Sequence, residues 1–243
     1  MANRNQKKLL QDYSGLITDI HSHLLPGLDD GAQTIDESIN YIIKLKKLGY
    51  KKLIITPHVI LGGYNNTPEI IKETLYDLRN ELIKRQIDIK LEAAAEYYLD
   101  NNFLSLIEKQ EILYFGKEKY VLFESSYYDH SDLIYNAIFL LHTYGYKPVF
   151  AHPERYGYYQ NDINHYIKIK EKGVYFQMNI VSLLSNYSPG SKKTAEMLID
   201  NDMIDFLGTD LHNENYIHGI TQMLNNKYIY KLIKSGKLLN NTL

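Results

Sequence analysis

The sequence contains no cysteine, and this absence excludes three kinds of chemistry. Disulfide bonds, zinc sites built on thiolates and cysteine nucleophiles cannot form in this chain. Any catalysis must therefore run on other side chains or on bound metal ions. Tryptophan is also absent, whereas tyrosine occurs 23 times. We attribute this imbalance to the composition of the source genome and not to function.

Long apolar runs and an excess of one charge are missing as well. No stretch approaches the length of a membrane span, and the polar start MANRNQKKLLQDYSG lacks the apolar core of a secretory signal. We therefore expect a cytoplasmic protein that does not insert into membranes. The net charge of −2 provides no general basic face, so we expect no nucleic-acid partner.

The sequence does contain a regular alternation of strand-like and helix-like segments. For example, the strand pattern KKLIITPH precedes a helix pattern in which Thr67 is a suitable N-cap and Pro68 a suitable first residue. About seven such units follow one another, which predicts an α/β fold with a parallel sheet inside and helices outside. We expect a distorted seven-stranded (β/α)7 barrel of the TIM type. An open doubly wound sheet is the alternative, disfavoured because no glycine-rich loop follows the first strand.

The domain organisation follows from this continuous alternation, which fits one closed barrel better than two domains. We expect a polar tail over residues 1–15 and a single catalytic barrel domain over residues 16–243. The last helical stretch is expected to cover about residues 216–236.

Side chains able to bind a metal follow nearly every predicted strand. In chain order they are His21 and His23, His58, Glu96, Glu124, His152, Asn179, and Asp210 with His212. In a barrel the carboxyl ends of all strands meet on one face, so these groups are expected to converge there. Residues two apart on an extended strand point to the same side. His21 with His23, and Asp210 with His212, can therefore each bind one ion as a pair. Asp30 lies on a loop that can fold back over this predicted metal site.

The segments that carry these residues resemble a known family. They are DIHSHLLPGLDDGAQTIDESI, TPH, AAAEYYLD, LFESS, FAHPERY and GTDLHN, spread over residues 17–215. Together they resemble the polymerase and histidinol phosphatase (PHP) family. Within it they are most similar to the manganese-dependent protein tyrosine phosphatases of bacterial capsule and exopolysaccharide systems. The resemblance implies a PHP-type distorted barrel that holds up to three metal ions.

The same resemblance implies how the ligands divide among the ions. The first ion would be held by His21, His23, Glu96 and Asp210, the second by Glu124 and His152 with Glu96 bridging, and the third by Asp30, His58 and His212. We expect two or three Mn²⁺ ions, with Fe²⁺ or Zn²⁺ as alternatives, because mixed imidazole and carboxylate ligands suit all three. Members of the subfamily often carry an arginine several residues after the DLHN segment. It is missing here, and we consider His218 as its replacement.

Catalysis is expected to involve Glu96, Asp210 and Arg155, with direct attack on phosphorus by a metal-bound hydroxide. Arg155 lies three residues after His152, and its guanidinium fork can hold two phosphate oxygens. The alternative for Arg155 is a surface ion pair with Glu154. Tyr64 and Asn179 are expected to line the rim and contact substrate.

The function indicated by the resemblance is dephosphorylation of phosphotyrosine on a protein, with the tail of a bacterial tyrosine kinase of polysaccharide export as the expected partner. The first alternative is a small-molecule phosphatase of the histidinol phosphatase type. The second is a PHP-fold regulatory protein without turnover. A nuclease is disfavoured because the sequence lacks a basic stripe.

Overall fold

The computed structural model describes residues 9–160, 162–184 and 188–243, which form an α/β structure whose strands pair in parallel. The strands in these ranges are Thr18–Asp19 (β1), Lys52–Ile55 (β2), His58–Val59 (β3), Lys90–Ala93 (β4), Glu96–Tyr98 (β5), Tyr120–Glu124 (β6), Lys147–Ala151 (β7), Tyr175–Asn179 (β8) and Phe206–Gly208 (β9). The helices are Ile35–Lys47 (α1), Pro68–Lys84 (α2), Asn101–Lys109 (α3), Leu133–Thr143 (α4), Ile163–Lys170 (α5), Pro189–Asp200 (α6), Glu214–Met223 (α7) and Lys227–Ser235 (α8).

The strands form two sheets, with the orders β1–β2–β4 and β3–β5–β6–β7–β8–β9. The second and third predicted strands are each broken in two, which differs from the prediction. Pro57 separates β2 from β3 because it has no N–H to donate, and Ala94 with Ala95 interrupts the neighbouring strand at the same level. An isolated parallel bridge joins Ser22, after β1, to Leu211, after β9.

Seven of the eight described helices start at a side chain that caps the helix, and α4 is the exception. Thr67 caps α2 as predicted, since its hydroxyl accepts a hydrogen bond from the N–H of Ile70 and Pro68 is the first helical residue. The prediction of one final helical stretch is wrong, because α7 and α8 are separate helices. Asn226 starts α8, and its side-chain oxygen accepts from the N–H of Tyr228 at 2.8 Å. Asparagine is a strong N-cap, which favours a new start over continuation.

The segment before β1 packs against the body instead of forming a tail. Tyr13 is fully buried, its ring stacks on Tyr50 at 5.6 Å, and its hydroxyl donates to the carbonyl of Ile220 at 2.7 Å. Leu10 is also buried and donates its N–H to the carbonyl of Leu224. The boundary predicted at residue 16 is therefore too late. Residues 1–8 of that predicted tail lie outside the described residues.

A small apolar cluster contains members from both sheets. It includes Ile20, Ile54, Ala94, Phe115, Tyr120, Leu122, Val149, Ala151 and Phe206. Because its side chains come from strands of each sheet, this cluster holds the two sheets together by burying apolar surface between them. None of the helices in the described ranges has the length and apolar character needed to cross a membrane.

Candidate metal centre

The predicted ligands meet at the carboxyl ends of the strands. Three groups have ligand atoms within 4.8 Å of one another: His21, His23, Glu96 and Asp210; His23, Asp30, His58 and His212; and His58, Glu96 and Glu124. His152 also reaches the cluster, with Nε2 3.0 Å from Glu96 Oε1 and 3.8 Å from Glu124 Oε2. The first group has the same members as the first expected ligand set. The second and third groups both contain His58. This residue was expected only in the third ligand set, but it also contacts Glu96 and Glu124 of the second.

Two of these ligands sit on backbone that non-glycine residues seldom adopt. His152, directly after β7, has φ of 34°, and Asp210, just after β9, has φ of 50°. These left-handed conformations turn each side chain away from the course of its strand. Strained positions of this kind persist where the surrounding structure fixes them, and they concentrate at functional sites.

Neighbouring polar groups fix the orientation of the histidine rings. Nδ1 of His21 donates to Oε1 of Gln177 at 2.8 Å, and Nδ1 of His23 donates to Oδ2 of Asp29 at 2.8 Å. Nε2 of each ring then faces the carboxylates of the cluster. Such outer partners hold a histidine in the tautomer that leaves the inner nitrogen free to bind a cation.

Asn179 lies elsewhere than expected. It was predicted at the rim, but it is fully buried behind the ligands. Its Nδ2 donates to Asp210 Oδ2 at 2.6 Å, and its Oδ1 accepts from Gln177 Nε2 at 2.8 Å. Together with the bond from His21 to Gln177, these contacts connect two ligands of the first group. Asn179 therefore orients a ligand, and the prediction that it lines the rim is wrong.

Several carboxylates lie close together in the buried centre, and burial and mutual repulsion change their pKa values. Burial raises the pKa of Glu124 well above its usual value, and the nearby carboxylates of Glu96 and Asp210 raise it further. Burial alone would also raise the pKa of Glu96, but the histidines around it, led by His21, hold that pKa well below its usual value. Carboxylates packed together in this way favour a proton or a cation between them.

Two orphaned atoms indicate where a cation fits. Glu96 Oε2 and His58 Nδ1 are buried without a hydrogen bond, although they lie only 3.2 Å apart. A buried polar atom without a partner is costly. A divalent cation would satisfy both atoms at once, and the mixture of imidazole and carboxylate donors suits Mn²⁺, Fe²⁺ or Zn²⁺. The residues present therefore fit the metal ions that the sequence implies.

A cavity of about 260 Å³ opens onto this cluster. Its walls are Asp30, His58, Glu96, Glu124, Tyr127, His152, Arg155, Asp210, His212, Asn213 and Tyr216. We call it the metal cavity. It is large enough for a phosphate group and part of the group attached to it.

Arg155 lines the metal cavity. Its Nη1 donates to Asp210 Oδ2 at 3.1 Å, and its guanidinium carbon lies 4.6 Å from the ring centroid of Tyr127. The alternative of a surface pair with Glu154 does not describe this arrangement. Glu154 is fully buried and accepts from the N–H of Asn179 and the hydroxyl of Ser182.

Tyr64, the other predicted rim residue, and His218, considered as the replacement of an arginine, both lie outside the metal cavity. Tyr64 is half-buried and stacks on His58 at 5.7 Å, but it lines a neighbouring cavity of about 550 Å³ instead of the metal cavity. His218 is exposed on α7 and does not line the metal cavity, so it does not replace an arginine there. Tyr216, two residues earlier, occupies that wall.

Sequence reasoning missed four residues of the site, namely Asp29, Tyr127, Gln177 and Tyr216. Gln177 precedes Asn179 by two residues on β8, so strand periodicity alone places both side chains on one face. Asp29 stands beside Asp30 in the LDDG turn, and the sequence does not show which of the two aspartates accepts from His23. No local pattern marks Tyr127 or Tyr216 among the many tyrosines.

Comparisons with known proteins identify the family of this chain. Residues 17–235 match the family described as capsular polysaccharide synthesis, CpsB/CapC. The chain is 31% identical over 196 residues to the tyrosine-protein phosphatase YwqE of Bacillus subtilis, covering 80% of this chain and 77% of that protein. It is 26% identical over 200 residues to the tyrosine-protein phosphatase CpsB of Streptococcus agalactiae, covering 80% of this chain and 82% of that protein.

Solved structures show the same fold. A chain from the crystal structures of YwqE from Bacillus subtilis and CpsB from Streptococcus pneumoniae, described as metal-dependent tyrosine phosphatases, matches with a TM-score of 0.80 at 26% identity. That match covers 91% of this chain and 93% of the solved one. A 2-pyrone-4,6-dicarboxylic acid hydrolase from Acinetobacter baumannii shares only the fold, with a TM-score of 0.56 at 11% identity over 93% of this chain and 97% of the solved one. The chain therefore belongs to the CpsB/CapC family of capsular polysaccharide synthesis.

Proposed function

We propose that this chain is a metal-dependent phosphomonoesterase that removes phosphate from phosphotyrosine on proteins. One observation carries the proposal. Three ligand groups meet beside an arginine in one cavity, and each pair of groups has one residue in common: Glu96, His58 or His23. Relatives named tyrosine-protein phosphatases support it. The absence of cysteine also excludes the thiolate route to a phosphotyrosine phosphatase.

We infer that the two sheets together make a distorted seven-stranded barrel of the PHP type, carried by one catalytic domain. The bridge between Ser22 and Leu211 supports this closure, since it joins the first strand segment to the last. The hydrogen bond from the N–H of Thr209 to Asp19 Oδ1, at 2.9 Å, lies at the same junction.

The metal ligands we propose are His21, His23, Asp30, His58, Glu96, Glu124, His152, Asp210 and His212. Two or three Mn²⁺ ions are the proposed cofactors, with Fe²⁺ or Zn²⁺ as alternatives. Divalent ions bound there would lower the pKa of a water molecule and neutralise charge on phosphate oxygens. Binding and orientation of the substrate are the proposed role of the side chains that line the metal cavity.

Arg155 is the residue that binds phosphate. Its guanidinium is held between Asp210 and the ring of Tyr127, and its donors line the cavity. A planar fork of this kind binds two phosphate oxygens at once. Glu96 and Asp210 have carboxylate oxygens 3.1–3.4 Å from Nε2 of His21 and His23, a spacing at which all four side chains can bind the same cation.

The proposed substrate is phosphotyrosine on the tail of a bacterial tyrosine kinase of polysaccharide export, and the proposed location is the cytoplasm. Phenolate leaves from an aryl phosphate more easily than an alkoxide leaves from a serine phosphate, because phenol is far more acidic than an alkanol. Among the described residues, the cavity has no carboxylic acid beyond the candidate ligands, so this site gains most from an aryl ester. A flexible kinase tail also fits a small open cavity, although ordering it on binding keeps affinity modest.

The test is a matrix of metals and substrates. Metal-free protein is reloaded with Mn²⁺, Fe²⁺ or Zn²⁺ and assayed on matched phosphotyrosine and phosphoserine peptides and on histidinol phosphate. We expect the highest kcat/KM with Mn²⁺ on phosphotyrosine. A tenfold preference for histidinol phosphate would replace the proposal with the small-molecule alternative. No turnover with any metal would favour the regulatory alternative.

A further inference from the structure

Three tyrosines surround the metal centre, and each packs its ring on a different candidate ligand. Tyr64 stacks on His58 at 5.7 Å, Tyr127 stacks on His152 at 5.7 Å, and Tyr216 packs on His212 at 5.5 Å. They come from three separate places in the chain: the segment after β3, the segment after β6, and α7. We call these three residues the tyrosine collar.

The collar is neither core nor open surface. All three side chains are half-buried, so one part of each ring rests on a histidine while another remains accessible. Tyr127 and Tyr216 line the metal cavity itself, and Tyr64 lies at the adjoining edge formed by His58. Tyr127 is fixed further, because the Arg155 guanidinium lies over its ring. The cavity wall therefore combines a phosphate-binding group with aromatic surface.

A cluster of metal ions and one arginine binds the phosphate of any monoester, so it does not by itself choose the alcohol. That choice needs contacts to the group beyond the ester oxygen. Aromatic rings pair favourably at centroid separations of about 4.5–7 Å, and a serine side chain offers no ring for such a pair. Tyr127 and Tyr216 form part of the wall of the cavity of about 260 Å³, so a ring attached to a phosphate bound at Arg155 can lie against them.

We propose that Tyr127 and Tyr216 bind the phenyl ring of the substrate and make the site selective for aryl over alkyl phosphate esters. This inference rests on the proposed phosphatase function and names the structural basis of its substrate class. Tyr127 and Tyr216 supply the main contacts from within the cavity, and Tyr64 extends the aromatic surface at its edge.

The test measures binding separately from turnover. The dissociation constants of phenylphosphonate and methylphosphonate are measured by calorimetry on the Mn²⁺-loaded protein, because neither compound can be hydrolysed at its carbon–phosphorus bond. Tyr127→Leu and Tyr216→Leu are each expected to weaken phenylphosphonate about fivefold more than methylphosphonate, the factor typical of one aromatic pair. Tyr127→Phe and Tyr216→Phe keep the ring and are expected to keep the wild-type ratio of the two dissociation constants, even where loss of the Tyr127 hydroxyl, which donates to Glu124 Oε2 at 3.3 Å, changes both constants together.

Tyr128→Leu is the matched control. Tyr128 adjoins Tyr127 in the chain, but it is 89% exposed and does not line the metal cavity. We expect no change in either dissociation constant for this variant. On peptides, Tyr127→Leu and Tyr216→Leu are expected to lower the ratio of kcat/KM for phosphotyrosine over phosphoserine about fivefold, whereas Tyr128→Leu leaves the ratio unchanged.

Two results would overturn the inference. If the leucine variants weaken both phosphonates equally and lose metal, the tyrosines only hold the histidines in place. If neither dissociation constant changes, the collar makes no contact with the ligand ring. Failure of the proposed function has a different signature: the wild type would hydrolyse none of the phosphate esters, whatever the ratio of the two phosphonate constants.

Discussion

Glu96 occupies the central position among the side chains of the metal centre. It is fully buried at the start of β5, and it belongs to two of the three ligand groups. Its two oxygens serve different neighbours. Oε1 is 3.0 Å from His152 Nε2, while Oε2 is 3.1 Å from His21 Nε2 and 3.2 Å from His58 Nδ1. No other carboxylate in the described ranges contacts as many of the candidate histidines.

Replacing this carboxylate tests its role. Glu96→Gln keeps the size of the side chain but removes the charge that the cations and histidines require. We expect turnover to fall by about 10²–10³, the usual cost of losing one electrostatic stabiliser at a catalytic site. Far-UV circular dichroism and elemental analysis accompany the kinetics. Near-normal turnover with normal metal content would show that Glu96 is dispensable.

Arg155 supports a second prediction at this scale. Arg155→Lys keeps the positive charge but loses both the fork and the flat surface that stacks on Tyr127. We therefore expect Arg155→Lys to lower kcat/KM nearly as much as Arg155→Ala, by about 10- to 100-fold. The metal content of both variants should match that of the wild type. Full activity in the lysine variant would exclude bidentate binding of phosphate.

At the scale of elements, short loops at the ends of the strands hold the site together. The loop after β7 begins with the left-handed residue His152 and continues through a short 3-10 turn, Pro153–Arg155. Glu154 points inward from this turn, and its Oε1 accepts from the N–H of Asn179 at 3.0 Å and from Ser182 Oγ at 2.7 Å. Glu154 thereby ties the end of β7 to the end of β8, while the next residue, Arg155, faces the cavity.

The buried position of Glu154 predicts a pH dependence of stability. Burial raises the pKa of Glu154 from its usual 4.5 to about 7. Between these values the folded protein holds a proton that the unfolded chain has released. The contribution of this group to the free energy of unfolding is therefore largest below pH 4.5 and falls as pH rises towards 7. The slope is at most about 1.4 kcal/mol per pH unit.

Glu154→Gln removes this titration while its amide oxygen can still accept both hydrogen bonds. Urea unfolding of metal-free wild type and variant at pH 5 and pH 7 measures the effect. We expect the variant to gain about 2 kcal/mol on the wild type between the two pH values. A difference that stays constant with pH would mean that Glu154 is ionised throughout.

At the scale of the whole molecule, the metal centre joins parts of the chain that are far apart in sequence. His21 follows β1 of the smaller sheet, whereas Glu96, Glu124 and His152 lie on or directly after β5, β6 and β7 of the larger one. Cations bound there would tie both sheets together at their carboxyl ends. They would also neutralise carboxylates that are otherwise buried close to one another.

Metal removal is therefore expected to lower stability as well as abolish activity. At Mn²⁺ concentrations about 100 times the dissociation constant, the folded state gains about 2.7 kcal/mol. For a domain of this size, that gain corresponds to a rise in Tm of roughly 5–10 °C over the chelated protein. Differential scanning calorimetry with and without chelator measures the shift, and Glu96→Gln should show a smaller one. An unchanged Tm in the wild type would contradict a structural metal.

The sequence alone determined the features that local patterns carry. Periods of two and of about 3.6 residues predicted the alternating strands and helices, and a threonine before a proline predicted the start of α2 at Thr67 and Pro68. The candidate metal ligands follow from the sequence because parallel strands bring their carboxyl ends to one face, whatever lies between them. That rule needs only the order of the elements, and the three ligand groups agree with it.

Only the tertiary structure decided what depends on contacts between distant residues. It buried Asn179 behind Asp210, put Tyr13 into the core against Ile220, and turned Tyr64 towards the larger cavity. It also placed Tyr127 and Tyr216, among the many tyrosines of the chain, in the wall of the metal cavity. The physical reason is that exposure and pairing are set by the packing of neighbouring elements. A strand end looks the same in sequence whether its side chain binds substrate or supports a ligand.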